Sequence, residues 1–210
     1  EYTVAVVANN SIVPLLNDDL IRPLDDLVAK YGQSLQPNQL IKIDGKAMAV
    51  AMMVNAQHLM LREDILKELN IATPKTWDDV LAAAAKIKAS GKVQYPLGAT
   101  VKAGWDLAQD FNNMFFGFGG AHTKADNTPS VNTDAGVKTL EMMKKLTAYM
   151  DPEYLTSDST FVQKQFQQGK IAMANLWASR AGALDDAKES QVVGKVKMAA
   201  APLAVAGGKP

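Results

Sequence analysis

Three tryptophans, a few side-chain amides and one arginine are the residues here whose types and positions suit chemistry, and the chemistry they suit is stacking and hydrogen bonding. An indole is an apolar plate with a negative π surface, and the C–H face of a pyranose lies flat on it. Burying ~80 Å² of that face at ~25 cal/mol per Å² contributes on the order of 2 kcal/mol before ordering costs. An Asn completes such a contact, because one amide carries both a donor and an acceptor for neighbouring hydroxyls. Trp77 falls on the apolar stripe of a helix and reads as core. Trp105 opens a helix just after Ala103-Gly104, so its ring projects toward whatever faces that helix end. Trp177 stands where a strand turns into a helix, and ligands of open α/β sheets gather beyond strand ends. Asn9, Asn10 and Asn55 occupy strand ends or apolar segments, where an unpaired amide is costly. A turn or cap serves equally well for Asn9 and Asn10, but Asn55 interrupts the apolar stretch 47–61.

Other chemistries lack their residues. The two histidines, His58 and His122, stand apart with no HxH or HExxH context, which gives no metal site, and the chain has no Cys. There is no G-x-S-x-G elbow and no G-x-x-x-x-G-K-[ST] loop, and Gly117-Phe118-Gly119-Gly120 lacks the dinucleotide register. The adjacent acids Asp18-Asp19, Asp25-Asp26, Asp78-Asp79 and Asp185-Asp186 diverge by about 100° on a helix and serve as first-turn charges, not dyads. Catalysis and a cofactor are therefore not expected. Lys and Arg total 22, as do Asp and Glu, so no basic footprint for nucleic acid or an anionic membrane exists. Uncharged stretches such as 47–61 fall short of the ~20 residues that cross a bilayer.

The elements that must hold these residues follow from periodicity and punctuation. The β-branched run 2–8 predicts a strand covered on both faces. Short helices are expected at 12–16 and 24–31, a hairpin turn at Asp44-Gly45, and a helix within 62–70. The clearest element starts after Pro74: Thr76 caps a helix bearing Trp77, Val80, Leu81, Ala84 and Ile87 and stopped by Gly91. Tyr95-Pro96-Leu97-Gly98 reads as the end of a loop. A helix over 105–118 is expected to bury Trp105, Ala108, Phe111, Phe115 and Phe118, and one starting at 132–134 to bury Val137, Leu140, Met143, Leu146 and Met150. A helix over 159–168, an alternating strand over 170–175, a helix near 179–187 and a last strand complete the order. Extended segments bordering consecutive helices suggest a mostly helical lobe inserted in an α/β lobe. The apolar first strand and the final Gly207-Gly208-Lys209-Pro210 give the expectation that this is part of a longer chain.

In order, these segments resemble the sugar-binding group of the extracellular solute-binding proteins of bacterial ABC importers, which includes the maltodextrin-binding proteins. The resemblance is carried by Gly45-Lys46 through Met53-Val54-Asn55-Ala56 to Arg62-Glu63-Asp64-Ile65-Leu66, by Pro74-Lys75-Thr76-Trp77-Asp78-Asp79 and by Phe118-Gly119-Gly120. It continues through Val131-Asn132-Thr133-Asp134-Ala135-Gly136 and Phe166-Gln167-Gln168-Gly169-Lys170-Ile171-Ala172-Met173 to Trp177. It implies an α/β fold of the type II periplasmic-binding-protein kind: two lobes joined by hinge strands, the second mainly helical, and the start of the first lobe missing. Residues 1–54 and 178–210 would belong to the first lobe and 55–177 to the second. Asn9, Asn10, Asn55, Trp105 and Trp177 would then meet the ligand, with amides in the segment Ala8-Asn9-Asn10 and at Asn55 where maltodextrin binders place acids. Arg180, in the following first turn, would reach a ligand oxygen or form a surface salt bridge. The implied role is capture of a neutral sugar or polyol by a periplasmic or extracellular monomer that delivers it to a membrane permease. The alternatives are a phosphorylated polyol, with Arg180 or Lys102 as its cations, and a carbohydrate-active enzyme.

Overall fold

The computed structural model describes residues 2–8 and 11–208, in two units, Glu1–Val54 and Asn55–Pro210. The second unit is built on a four-stranded sheet with strand order β4-β5-β3-β6, formed by Tyr95–Gly98, Ile171–Trp177, Gln57–Arg62 and Val196–Ala199. β5 runs parallel to β4, and β3 is antiparallel to both β5 and β6. Expected to alternate, β5 is instead buried along both faces from Ile171 through Leu176, because helices cover the sheet on each side. Leu59, Leu61, Leu97 and Met173 pack with α4 (Trp77–Ser90), α5 (Trp105–Gly117) and α6 (Asp134–Thr147), while Met60, Ala174 and Leu176 pack with α7 (Ser159–Gln167) and α8 (Ala181–Leu184). A strand with apolar cover on both sides has no polar face to show.

Local signals place the helices. Thr76 accepts from the Asp79 N–H at 3.1 Å while Asp79 accepts from the Thr76 N–H at 3.0 Å, a reciprocal cap that fixes the start of α4, and Gly91 ends it at φ +65°. Asp158 caps α7 through the N–H groups of Thr160 and Phe161. α3 (Glu63–Glu68) follows β3 directly. In the first unit, α1 (Ile12–Asn17) and α2 (Asp25–Tyr31) precede a hairpin of β1 (Leu40–Ile43) and β2 (Lys46–Val50). Asp44 and Gly45 sit at φ +50° and +78°, the paired positive angles of a two-residue hairpin turn.

Several expectations are corrected. Residues 2–8 form no strand: they pair with no described segment, and a strand exists through its ladder. Tyr95–Gly98 is a strand, not a loop, and Pro96 is tolerated because β4 lies on the sheet edge. Gly98 packs so closely that a Cβ there would lie 2.6 Å from Ile171 Cδ1. On α5 the buried residues are Asp110, Met114 and Phe115, and Ala108 is exposed. On α6 they are Gly136, Thr139, Met142 and Leu146, with Val137 and Leu140 turned out. The helix expected near 179–187 is shorter, a 3-10 turn at Ala178–Arg180 followed by α8. Finally, the expected border at 178 is not a border of the structure: α8 packs on α7 and β6 pairs with β3, so 178–208 stays with 55–177.

Candidate functional site

The end of β5 and the beginning of β3 bring four of the sequence-derived residues together. Trp177, the last residue of β5, is the cross-strand partner of Gln57, the first of β3. One residue beyond each, the Ala178 N–H donates to the Ala56 carbonyl at 2.9 Å and prolongs the pairing. Asn55 then closes the strand end by a two-way clasp: its Nδ2 donates to Ser179 Oγ at 3.0 Å and its Oδ1 accepts from the Ser179 N–H at 3.3 Å. The amide that interrupts the apolar stretch thus has a local partner in the backbone turn after Trp177.

α5 begins at the same place. Gly104 precedes it at φ +110°, a conformation open to glycine, and Trp105 stacks on Trp177 with ring centroids 5.3 Å apart and planes 24° from parallel. Trp105 remains 46% exposed and Trp177 is half-buried, so the pair presents an indole surface to solvent with its rear packed. The start of α7 borders this pair. Arg180 donates to Gln163 Oε1 and Ser159 Oγ, both at 2.9 Å, and Lys102 pairs with Asp158 at 3.1 Å. Arg180 was expected to reach a ligand oxygen or form a surface salt bridge; its hydrogen bonds here go to neutral side chains. Both cations considered for a phosphate already have partners. Asp106, beside Trp105, is raised above the usual carboxylate range by burial and then by the charge of Asp158. Asp158 is held low by the Phe161 N–H and by Lys102. Asn9 and Asn10 lie outside the described residues.

The residue that sequence reasoning missed is Asp110. It is 5% exposed, and its carboxylate accepts from Gln57 Nε2 at 2.9 Å, from the Thr100 N–H at 3.1 Å and from Thr100 Oγ1 at 3.0 Å. Gln57 Oε1 in turn accepts from Asn113 Nδ2 and, at 3.3 Å, from Asn175 Nδ2. Burial pushes the Asp110 carboxyl up to about 7 against the opposing pull of its Gln57 and Thr100 donors. Asn175 Oδ1 is buried without a hydrogen-bond partner among the described residues. Asn175 and Asp110 both line a small cavity of about 20 Å³, the size that holds one water. A sequence signal existed: an Asp spaced with the apolar residues of α5, at the position where Met114 falls one turn later. A wider hollow of about 290 Å³ at residues 71–75 and α4 contains none of the site residues. Among the described residues no group of His, Asp and Glu converges as a metal site.

Comparison with known proteins gives the setting. A family model described as bacterial extracellular solute-binding protein matches residues 1–209. A probable amino-acid ABC transporter periplasmic-binding protein of Sinorhizobium fredii is 30% identical over 136 residues, 63% of this chain and 31% of its own length. Among solved structures, an ABC transporter solute-binding protein of Agrobacterium radiobacter in complex with ribitol superposes with a TM-score of 0.82 at 25% identity, over 93% of this chain and 51% of that one. One from Agrobacterium vitis with bound D-mannitol gives 0.77 at 25% identity, over 90% and 48%. This chain thus spans about half of each matched structure and about a third of the Sinorhizobium relative.

Proposed function

Given that this chain belongs to the bacterial extracellular solute-binding proteins, we propose that it is part of the binding component of an ABC importer and captures a neutral sugar or polyol on the Trp105–Trp177 platform. The observation that carries this reading is the stacked, part-exposed indole pair at the end of β5. Its exposed indole surface suits the C–H face of a sugar; the neutral groups Asn55, Ser179 and Ser159 stand beside it, and the neighbouring cations Lys102 and Arg180 are already held by partners. The relatives solved with ribitol and with D-mannitol support the same ligand class. Residues 1–54 are assigned to the first lobe of the whole protein and 55–208 to the second. Arg180 acts by ordering the turn after Trp177 more than by meeting charge, since its guanidinium already has partners. The whole protein is a periplasmic or extracellular monomer that hands its ligand to a membrane permease.

A charged ligand fits less well. A phosphate would have to draw Lys102 from Asp158 or Arg180 from Gln163 and Ser159. An amino acid, the cargo class named for the Sinorhizobium relative, also needs a free cation for its carboxylate. A carbohydrate-active enzyme would have Asp106 and Asp158 at the platform, but Asp158 is committed to capping α7 and to Lys102. A thermal-shift screen tests the proposal, because a ligand that binds the folded state raises its stability by mass action. Neutral sugars and polyols, ribitol and D-mannitol included, should raise the melting temperature and emerge uncleaved. A response confined to amino acids or phosphorylated polyols would contradict it.

A further inference from the structure

We propose that Asp110 is a positioning residue for the ligand platform: through Gln57 and Asn175 it locks the first turns of α5 onto the ends of β3 and β5, and so sets how Trp105 lies on Trp177. This rests on the reading of the indole pair as the platform. The geometry is direct. Asp110 lies five residues after Trp105 on α5, and Gln57 is the cross-strand partner of Trp177. The Asp110–Gln57 hydrogen bond therefore joins the helix that carries one indole to the strand pair that carries the other; Asn113 of α5 adds a second bond to Gln57, and Asn175 ties Gln57 to β5.

The network also has a direction. Asn113 and Asn175 donate to the Gln57 carbonyl, and Gln57 donates onward to Asp110. Thr100 donates to the same carboxylate through a backbone N–H, which cannot reverse its role. Only an acceptor-only side chain satisfies all these donors at once, and a carboxylate is such a group whereas an amide is not. An Asn at this position would set its NH₂ against either Gln57 or Thr100, and the conflict would pass along Gln57 to the strand ends. The groups facing Asp110 from β3, β5 and the 99–101 segment are uncharged: Gln57, Asn175 and Thr100. α4 and α6 contribute Trp77, Met143 and Leu146, all uncharged, to the cavity that Asp110 lines. Asp106, one turn earlier on α5, is the charged group that acts on it. A buried acid with these surroundings costs stability unless its donors stay in place, which is what makes it an effective lock.

The test reads the indoles themselves. Stacked tryptophans give an exciton couplet in circular dichroism, measurable without any sugar, so this proposal stands or falls apart from the ligand assignment. In Asp110→Asn and Gln57→Leu the couplet should drop by at least half while the helical signal is kept. Kd for whichever of ribitol and D-mannitol binds should weaken by about tenfold. Variants that melt earlier yet retain the full couplet would overturn the proposal and leave Asp110 a stability residue. Should Asp110→Asn fail to fold, the wild type carried from about pH 8 to about pH 5 gives the same reading. Its couplet should change as the Asp110 carboxyl, raised by burial, takes up its proton, and a couplet constant through that uptake, followed by the carboxyl infrared band, would equally overturn it.

Discussion

Asn55 and Asp110 show how differently two polar residues in apolar surroundings are resolved. Asn55 is exposed enough to be satisfied by one residue, and its two bonds to the Ser179 hydroxyl and N–H brace the segment that follows Trp177. Asp110 is buried and is satisfied by Thr100, ten residues before it, and by Gln57 on β3, a convergence that no local pattern announces. The position of Trp105 and Trp177 at element boundaries was legible in the sequence. That the two stack on each other was not, because the contact joins positions 72 residues apart (177 − 105). At this scale the ligand contact is worth the area of one sugar face. Trp105→Ala should weaken sugar binding by about 30-fold, the equivalent of ~2 kcal/mol, with the fold retained by circular dichroism. A titration in which Trp105→Ala binds as tightly as the wild type would remove the exposed indole from the site.

The elements were readable where their cause is local and unreadable where it is not. The Thr76–Asp79 box and the Asp44-Gly45 turn are fixed by residues within four positions of each other, and both stand where the sequence places them. Thr76→Ala should therefore cost about 1 kcal/mol in urea denaturation, the usual worth of a cap. β4 was missed because Pro96 and Gly98 argue against a strand locally, while its ladder to β5 is supplied by residues some 75 positions away (171 − 95 = 76). The smallness of Gly98 is needed there. Gly98→Ala would set a methyl 2.6 Å from Ile171 Cδ1 and 3.1 Å from Val162 Cγ1, and should destabilise by about 1–3 kcal/mol through overpacking. The faces of α5 and α6 were misjudged for a related reason: apolar residues outnumber the sites against the sheet. Phe116, Val137 and Leu140 are left exposed, and the buried side is chosen by neighbours the helix itself does not specify.

For the whole molecule, buried and exposed acids pull the pH dependence of stability in opposite directions. Asp110, raised to about 7 by burial, keeps its proton in the folded state at pH values where the unfolded chain has already released it. Its contribution is fully present below about pH 4 and is lost as pH rises toward about 7. Asp79, lowered by the Lys75 and Thr76 N–H groups, contributes stability that is lost as pH falls through its depressed value. Denaturation free energy should thus decline between about pH 5 and about pH 7 in the wild type and stay flatter in Asp110→Asn. A wild-type profile that rises steadily across that interval would show that the carboxyl ionises freely in the fold. A neutral ligand brings a further consistency requirement, since affinity without charge pairing should change little between low and high salt.

Tryptophan fluorescence during titration with ribitol, D-mannitol and maltose, in the wild type and in Trp177→Ala, bears most directly on neutral-sugar capture by the indole pair. The expected result is a saturable change in the wild type with at least one of these neutral ligands, abolished in Trp177→Ala. An undiminished change in Trp177→Ala, or a wild-type response given only by charged solutes, would contradict it.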